Sequence, residues 1–299
     1  MKKRLLTSVA LGAAAALTLA GCSTSGTPSG GDTGSGDKGD ITIGVFSGWP
    51  EGEAASYVWQ QVLEDHGYDV TLETADAGPL FAALSKGQYD VTFDVWLPGT
   101  HKEYWDQYGD DLDDLGSWYD SAPLTIAVNA DAPIDSLDEL AAHADEFGNR
   151  IVGIEPGAGE TGIVQNAVIP AYGLDGMDFQ TSSTPAMLAE LKKAIASGEN
   201  IAVTLWQPHW AYNAFPLKDL EDPKGALGEP DHIDTVARTG FADEYPEVAG
   251  WFKHFHFDAD LLADLENKLF NGDVDASEYP SIVKQWLADH QDFEDGLTS

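Results

Sequence analysis

"ITIGVFSGWPEGEAASYVWQQVLEDHGYDVTLETADAGPLFAALSKGQYDVTFDVW", residues 41–96, alternates short β-rich runs with helical stretches. Ile41 to Phe46 reads as a strand. In the segment that follows, Ala55, Val58, Trp59, Val62 and Leu63 recur at the i, i+3, i+4, i+7, i+8 spacing of one helical face. Gly67 supplies the stop. "YDVTLETAD" predicts a second strand, "GPLFAALSKGQ" a second helix, and "YDVTFDVW" a third strand, apolar almost throughout except at Thr92 and Asp94. Strands that alternate with helices in this order form a parallel sheet covered on both faces, so the fold class expected is α/β.

The unit is repeated from about residue 151. "RIVGIE" is the first strand, "TGIVQNAVIPAYG" a helix and "MDFQTSS" a second strand. "TPAMLAELKKAIASGE" is then a helix with Pro185 in its first turn and Met187, Leu188, Leu191 and Ile195 on one face, and "NIAVTLW" closes the unit as a strand. Two units imply two α/β lobes with a ligand cleft between them. "PLTIAVN" (123–129) and "IDTVARTGF" (233–241) are the candidate crossing segments, which puts lobe 1 at residues 41–125 plus 237–299 and lobe 2 at 126–236. Ser136 and Glu139 have the spacing of a capping box and are expected to open a helix. The tail after Phe241 reads as helical, with Trp251 and Trp286 in core positions.

The N-terminus assigns a compartment. Lys2, Lys3 and Arg4 precede an apolar run from Leu5 to Ala20, the charge-then-hydrophobe order of a secretory signal, here residues 1–21. Leu19-Ala20-Gly21-Cys22 resembles a bacterial lipobox, and this resemblance implies cleavage before Cys22 and its lipidation. Cys22 is the only cysteine, so no intrachain disulfide is possible. Residues 22–40 are mostly Gly, Ser, Thr and Asp and are expected to act as a flexible tether. The chain is thus expected outside the cytoplasm, held to the outer face of the membrane. With 51 Asp and Glu against 15 Lys and Arg it lacks the clustered cations that phosphate neutralisation requires, and nucleic acid is excluded as a partner. The acidic excess suits a solvated surface in salty surroundings.

In open α/β sheets ligands bind beyond the carboxyl ends of the strands. Those ends carry Ser47-Gly48-Trp49, Trp96-Leu97-Pro98-Gly99-Thr100-His101, Glu155-Pro156-Gly157-Ala158-Gly159-Glu160-Thr161 and Trp206-Gln207-Pro208-His209-Trp210. Trp49, Trp96 and Trp206 therefore converge on one cleft. Indole faces attract cations by about 0.5–2 kcal/mol each, and a quaternary ammonium, with no N–H to donate, is held by such faces. The Pro156-to-Gly159 turn leaves backbone N–H groups free at a helix start, where a carboxylate is stabilised. Cation cage and anion nest together describe a zwitterion. His254 and His256 lack a third ligand at metal-binding spacing and read as surface. No Gly-x-Ser-x-Gly elbow supports an exported hydrolase, and no cofactor is implied.

"GWPEGEAASYVWQQVLEDHGYDVTL", "VWLPGTHKEYWDQYG", "IVGIEPGAG" and "LWQPHWAYN", with "LEDPKG" soon after, resemble the substrate-binding proteins of bacterial glycine betaine/proline betaine ABC importers over residues 41–290. The resemblance implies a periplasmic-binding-protein-like fold whose two lobes close over the ligand, an ABC permease as partner, and a role in osmoprotection rather than catalysis. It implies that Trp49, Trp96 and Trp206 form a prism around the ammonium. It further implies that the backbone amides of Gly159 and Glu160 receive the carboxylate, and that His101 contacts the ligand. Where some relatives carry a small apolar residue, this chain has Glu160, whose side chain must avoid the ligand carboxylate. A choline- or carnitine-selective protein on the same scaffold is the alternative.

Overall fold

The computed structural model describes residues 38–272 and 274–299. The signal peptide, Cys22 and nearly all of the expected tether lie outside the described residues. Ten strands form two five-stranded sheets. The strands are β1 (Asp40–Phe46), β2 (Asp69–Ala75), β3 (Val91–Leu97), β4 (Leu112–Ala122), β5 (Leu124–Asn129), β6 (Arg150–Val152), β7 (Asp178–Gln180), β8 (Ala202–Trp206), β9 (Leu217–Asp219) and β10 (Asp231–Arg238).

The first sheet runs β2-β1-β3-β10-β4 and the second β7-β6-β8-β5-β9. In each, three strands are parallel, as the repeated β-α-β-α-β pattern predicts; a fourth, β10 or β5, joins them antiparallel, and the edge strand β4 or β9 pairs antiparallel with that one. The chain leaves the first sheet between Ala122 and Leu124. It returns before Asp231, because β10 pairs with β3 and β4 from that residue onward. Residue 237, the expected start of the return, lies within this strand. The acidic opening of β10, Asp231-His232, masks its start in the sequence.

Local chemistry accounts for the elements that carry the cleft. Helix α1 (Pro50–Asp65) starts on a proline at its first position and buries Ala55, Val58, Trp59, Val62 and Leu63, the five residues on the expected apolar face. Its Gly52 packs on β3 so closely that a Cβ there would lie 2.4 Å from the Asp94 side chain. Helix α2 (Ala77–Leu84) covers the same sheet with Leu80, Phe81 and Leu84. In the second lobe the expected helix runs from Gly159 to Tyr172, with a π-helical stretch at Val164–Val168. Ser136 and Glu139 form the expected capping box, although the α-helix it opens spans only Leu137–Leu140 before tightening into a 3₁₀ stretch. Trp286 is fully buried, Trp251 nearly so, and His254 and His256 are exposed. Among the described residues no helix is long and apolar enough to cross a membrane.

Candidate functional site

The carboxyl ends of β1, β3 and β8 and the turn after β6 surround one cavity. It is lined by Trp49, Trp96 and Trp206, by Thr100 and His101, by Ala158, Gly159 and Glu160, and by Glu51, Leu124 and Ile154. All six residues singled out in the sequence, Trp49, Trp96, Trp206, His101, Gly159 and Glu160, are brought to this cavity. The tryptophans are 3–7% exposed.

Each indole is fixed by a different device. Trp49 follows Gly48, whose φ of +82° turns the chain off β1, and its ring stacks on Phe46 at 4.8 Å and on His101 at 5.5 Å. Trp96 donates from Nε1 to Asp94 Oδ1 of its own strand at 2.7 Å. Trp206 donates from Nε1 to Glu51 Oε2 at 2.9 Å, reaching from the second lobe to the first turn of α1 in the first. Both Trp-x-Pro segments carry cis peptide bonds, Leu97-Pro98 and Gln207-Pro208.

The loop after β3 is held from below. Buried Asp231, at the start of β10, accepts from the N–H groups of Gly99 and Thr100 at 2.6 and 2.8 Å. His101 Nδ1 accepts the Trp96 backbone N–H at 2.9 Å, which leaves the proton on Nε2. That N–H is buried and has no partner. Burial pushes the imidazole down to about 3, so the ring is neutral and offers one directed donor to the cavity.

The second lobe contributes the start of a helix. The N–H groups of Gly159 and Glu160 belong to its first turn and have no intrahelical acceptor. Gly159 is also where the lobes meet, since a Cβ there would lie 2.0 Å from the carbonyl oxygen of Thr100. Tyr104, on the helix Lys102–Tyr108, donates from its hydroxyl to the Gly157 carbonyl at 2.7 Å across the same gap. Together with the Trp206–Glu51 bond these contacts bridge the two lobes. Glu160 is 2% exposed, and burial, only partly offset by the Leu205 backbone, raises its carboxyl well above the usual range. A protonated Glu160 does not repel an anion at the neighbouring amides.

Sequence reasoning missed the acids behind the indoles. Glu51 lines the cavity, and Asp94 and Glu266 lie nearby, all three about 1% exposed. Burial is the main cause that raises each carboxyl. Repulsion from Asp94 and then Glu266 adds to it at Glu51, while Glu266 is pushed up to about 8. The available signal was the charged break at Asp94 in a strand otherwise apolar but for Thr92. Among the described residues no group of His, Cys, Asp and Glu side chains is placed to hold a metal ion.

The chain matches a family profile described as the substrate binding domain of ABC-type glycine betaine transport system over residues 39–289. It is 34% identical over 163 residues to the glycine betaine/carnitine transport binding protein GbuC of Listeria monocytogenes, a match that covers 54% of this chain and about half, 52%, of that protein. Among solved structures it resembles lactococcal OpuAC in its closed form complexed with glycine betaine, with a TM-score of 0.80 and 30% identity over 87% of this chain and 99% of that one. It also resembles the glycine betaine/L-proline-binding protein ProX of Borrelia burgdorferi, with a TM-score of 0.81 and 27% identity over 87% and 97% of the respective chains.

Proposed function

The chain belongs to the family of substrate-binding domains of ABC-type glycine betaine transport systems, and from that premise we propose that its cavity captures a betaine zwitterion and hands it to an ABC permease. The ammonium is caged by Trp49, Trp96 and Trp206. The carboxylate takes the N–H groups of Gly159 and Glu160 and the Nε2–H of His101. The observation that carries this reading is the convergence of indoles from both lobes with an unpartnered, buried imidazole N–H on one cavity.

Three indole faces at about 2 kcal/mol supply roughly 6 kcal/mol, while micromolar binding needs about 8 before the ligand's immobilisation is counted. The carboxylate contacts must contribute the difference, so betaines are favoured over choline, which has no carboxylate. The relative whose name pairs glycine betaine with carnitine keeps carnitine among the candidates. Capture involves no bond making. The lobes, residues 40–122 with 231–299 and residues 124–219, are read as hinging about the strand crossings, with the closed form presented to the permease. Lipidation of Cys22 would hold the protein on the outer face of the cell membrane, and uptake of such solutes fits osmoprotection.

Calorimetric titration of the chain from residue 38 with glycine betaine, proline betaine, carnitine and choline tests the reading. Micromolar binding of the betaines with much weaker choline binding is expected. Tight choline binding would retain the cage and remove the anion nest, and no binding of any of the four would overturn the assignment.

A further inference from the structure

Behind the cage lies a feature that cation–π attraction does not require: three carboxyl groups sealed from water. Glu51 comes from the first turn of α1, Asp94 from β3 and Glu266 from the helix Ala259–Phe270. Two of them are the acceptors for cage indoles, Asp94 for Trp96 and Glu51 for Trp206. Asp94 Oδ2 and Glu266 Oε1 are buried without any hydrogen-bond partner, and Glu51 borders the cavity itself.

Among the described residues around them, no cation compensates these acids. Around Glu51 stand Asp94, Glu266 and the Trp206 N–H. Around Asp94 stand Trp96 and Glu51, and around Glu266 the Trp210 backbone and Asp94. Tyr119 of β4 faces Glu266 and is itself pushed upward, mainly by burial. His101, and His209 beside Trp206, are held neutral by burial. Neighbouring carboxyls in such a place cannot all ionise, and the group keeps protons at neutral pH. A cation in the cage changes that balance. It favours the ionised form of the acid nearest to it, and an ionised acceptor makes the indole that donates to it more electron-rich and so a better cation–π face.

We propose that Glu51 and Asp94 form a proton-holding floor beneath the tryptophan cage, which releases a proton to solvent as the quaternary ammonium enters, so that ligand capture is coupled to deprotonation. The proposal rests on the cage reading given above. Charge balances in the step: the betaine enters with no net charge and one proton leaves, so the complex is one charge more negative, with the floor carboxylate as counter-ion to the ammonium and the ligand carboxylate on the amide nest; choline enters as a cation and leaves the net charge unchanged. The floor also acts on specificity, because it supplies its charge only to ligands that bring a positive group.

Calorimetric titration of glycine betaine at one pH, in buffers of different ionisation enthalpy, reads the proton count directly. The expected result is a release of about half to one proton per ligand, with Kd tightening by up to about tenfold per pH unit between about pH 6 and pH 8. Choline should release the same amount, since the cation alone drives the step. Glu51→Gln keeps an acceptor for Trp206 and should bind with the release lost and a Kd flat in pH. Asp94→Asn serves the same purpose should the first variant fold poorly. Binding with no proton exchange in any buffer overturns the proposal and leaves the cage reading intact. Release with betaine but not choline would mean that the carboxylate end rather than the cation drives the exchange, and net uptake with betaine alone would place it at Glu160 beside the arriving anion; either result overturns the proposal. No binding by either ligand removes the cage reading and the proposal together.

Discussion

The two Trp-x-Pro strand ends share a local design and diverge in what they hold. In both, a histidine follows, His101 or His209. Each accepts a backbone N–H on Nδ1, from Trp96 or Ala211, and leaves Nε2 buried without a partner. Burial pushes both imidazoles down to about 3. Yet Trp96 is tied to Asp94 within its own strand, while Trp206 is tied to Glu51 in the opposite lobe. His101 faces the cavity, whereas His209 packs against the edge of Trp206 and stacks on Trp210. On the proposed reading the first end is a wall built within one lobe, and the second is a wall whose indole is tied to the opposite lobe. The same few residues produce preorganisation in one place and a closure-dependent contact in the other, according to which lobe holds the indole's acceptor.

The strongest way to break this contrast is to prevent the lobes from meeting. Gly159→Ala places a Cβ against the Thr100 carbonyl of the first strand-end loop, whose backbone is anchored through the Thr100 N–H on Asp231 and has no easy route aside. Betaine affinity should fall by about 3 kcal/mol, roughly a hundredfold, while the Tm of the ligand-free protein stays within about 3 °C, because alanine suits a first helical turn. Unchanged affinity would mean that the closed contact at Gly159 is not part of the bound state.

Replacing the tryptophans sharpens the contrast next. Trp96→Ala and Trp206→Ala should each cost about 2 kcal/mol of binding or more, some thirtyfold, through the lost face. The phenylalanine variants separate them, because each keeps an aromatic face, smaller than the indole, and removes the N–H. An acceptor left bare costs about 1–3 kcal/mol. For Trp96→Phe the cost falls within one lobe and should lower the Tm. For Trp206→Phe it falls on closure and should weaken binding and open the ligand-free protein in small-angle scattering. Equal behaviour of the two variants would refute the distinction. His101→Ala should cost glycine betaine about 1.5–3 kcal/mol and choline much less, since only the former has an anion for Nε2–H. His209→Ala should lower the Tm without changing the ratio of the two affinities.

Most of the fold was legible because its elements obey one rule each. The buried parallel strands are continuous apolar runs, and α1 shows an unbroken 3.6-residue pattern. β4 was illegible because "LDDLGSWYDSA" is an edge strand with one face in water, rich in the Asp, Gly and Ser that strands usually avoid. The cage tryptophans and the glycine turn could be placed because strand ends converge by topology alone. The acidic floor could not: Asp94 interrupts a buried strand, but Glu51 and Glu266 are far from it in sequence, and in a chain with 51 acidic residues nothing marks those two as its buried neighbours. The indole donors escaped for the same reason, since a tryptophan's acceptor is a property of packing.

The smallest expected effect separates the acids from the histidines by pH. Glu51, Asp94, Glu160 and Glu266 all have raised carboxyls, so the folded chain keeps protons that the unfolded chain gives up above about pH 4.3. Their contribution to stability is therefore lost as pH rises toward 8. His101 and His209 act in the opposite sense, because below about pH 6.5 the unfolded imidazoles take up protons that the folded ones refuse. Between about pH 8 and pH 6.5 only the acids operate, and acidification should raise the Tm of the ligand-free protein by a few degrees, with each titrating group worth up to about 1.4 kcal/mol per pH unit. Below that range the histidines oppose the trend and the curve should flatten. Saturating glycine betaine should reduce the upper slope if the cation ionises the floor, which ties this thermal measurement to proton release through an independent observable. A Tm already flat from pH 8 to pH 6.5 without ligand would mean that the acids behind Trp96 and Trp206 are ionised before the cation arrives, and the cage would then be a permanent anion rather than one formed on capture.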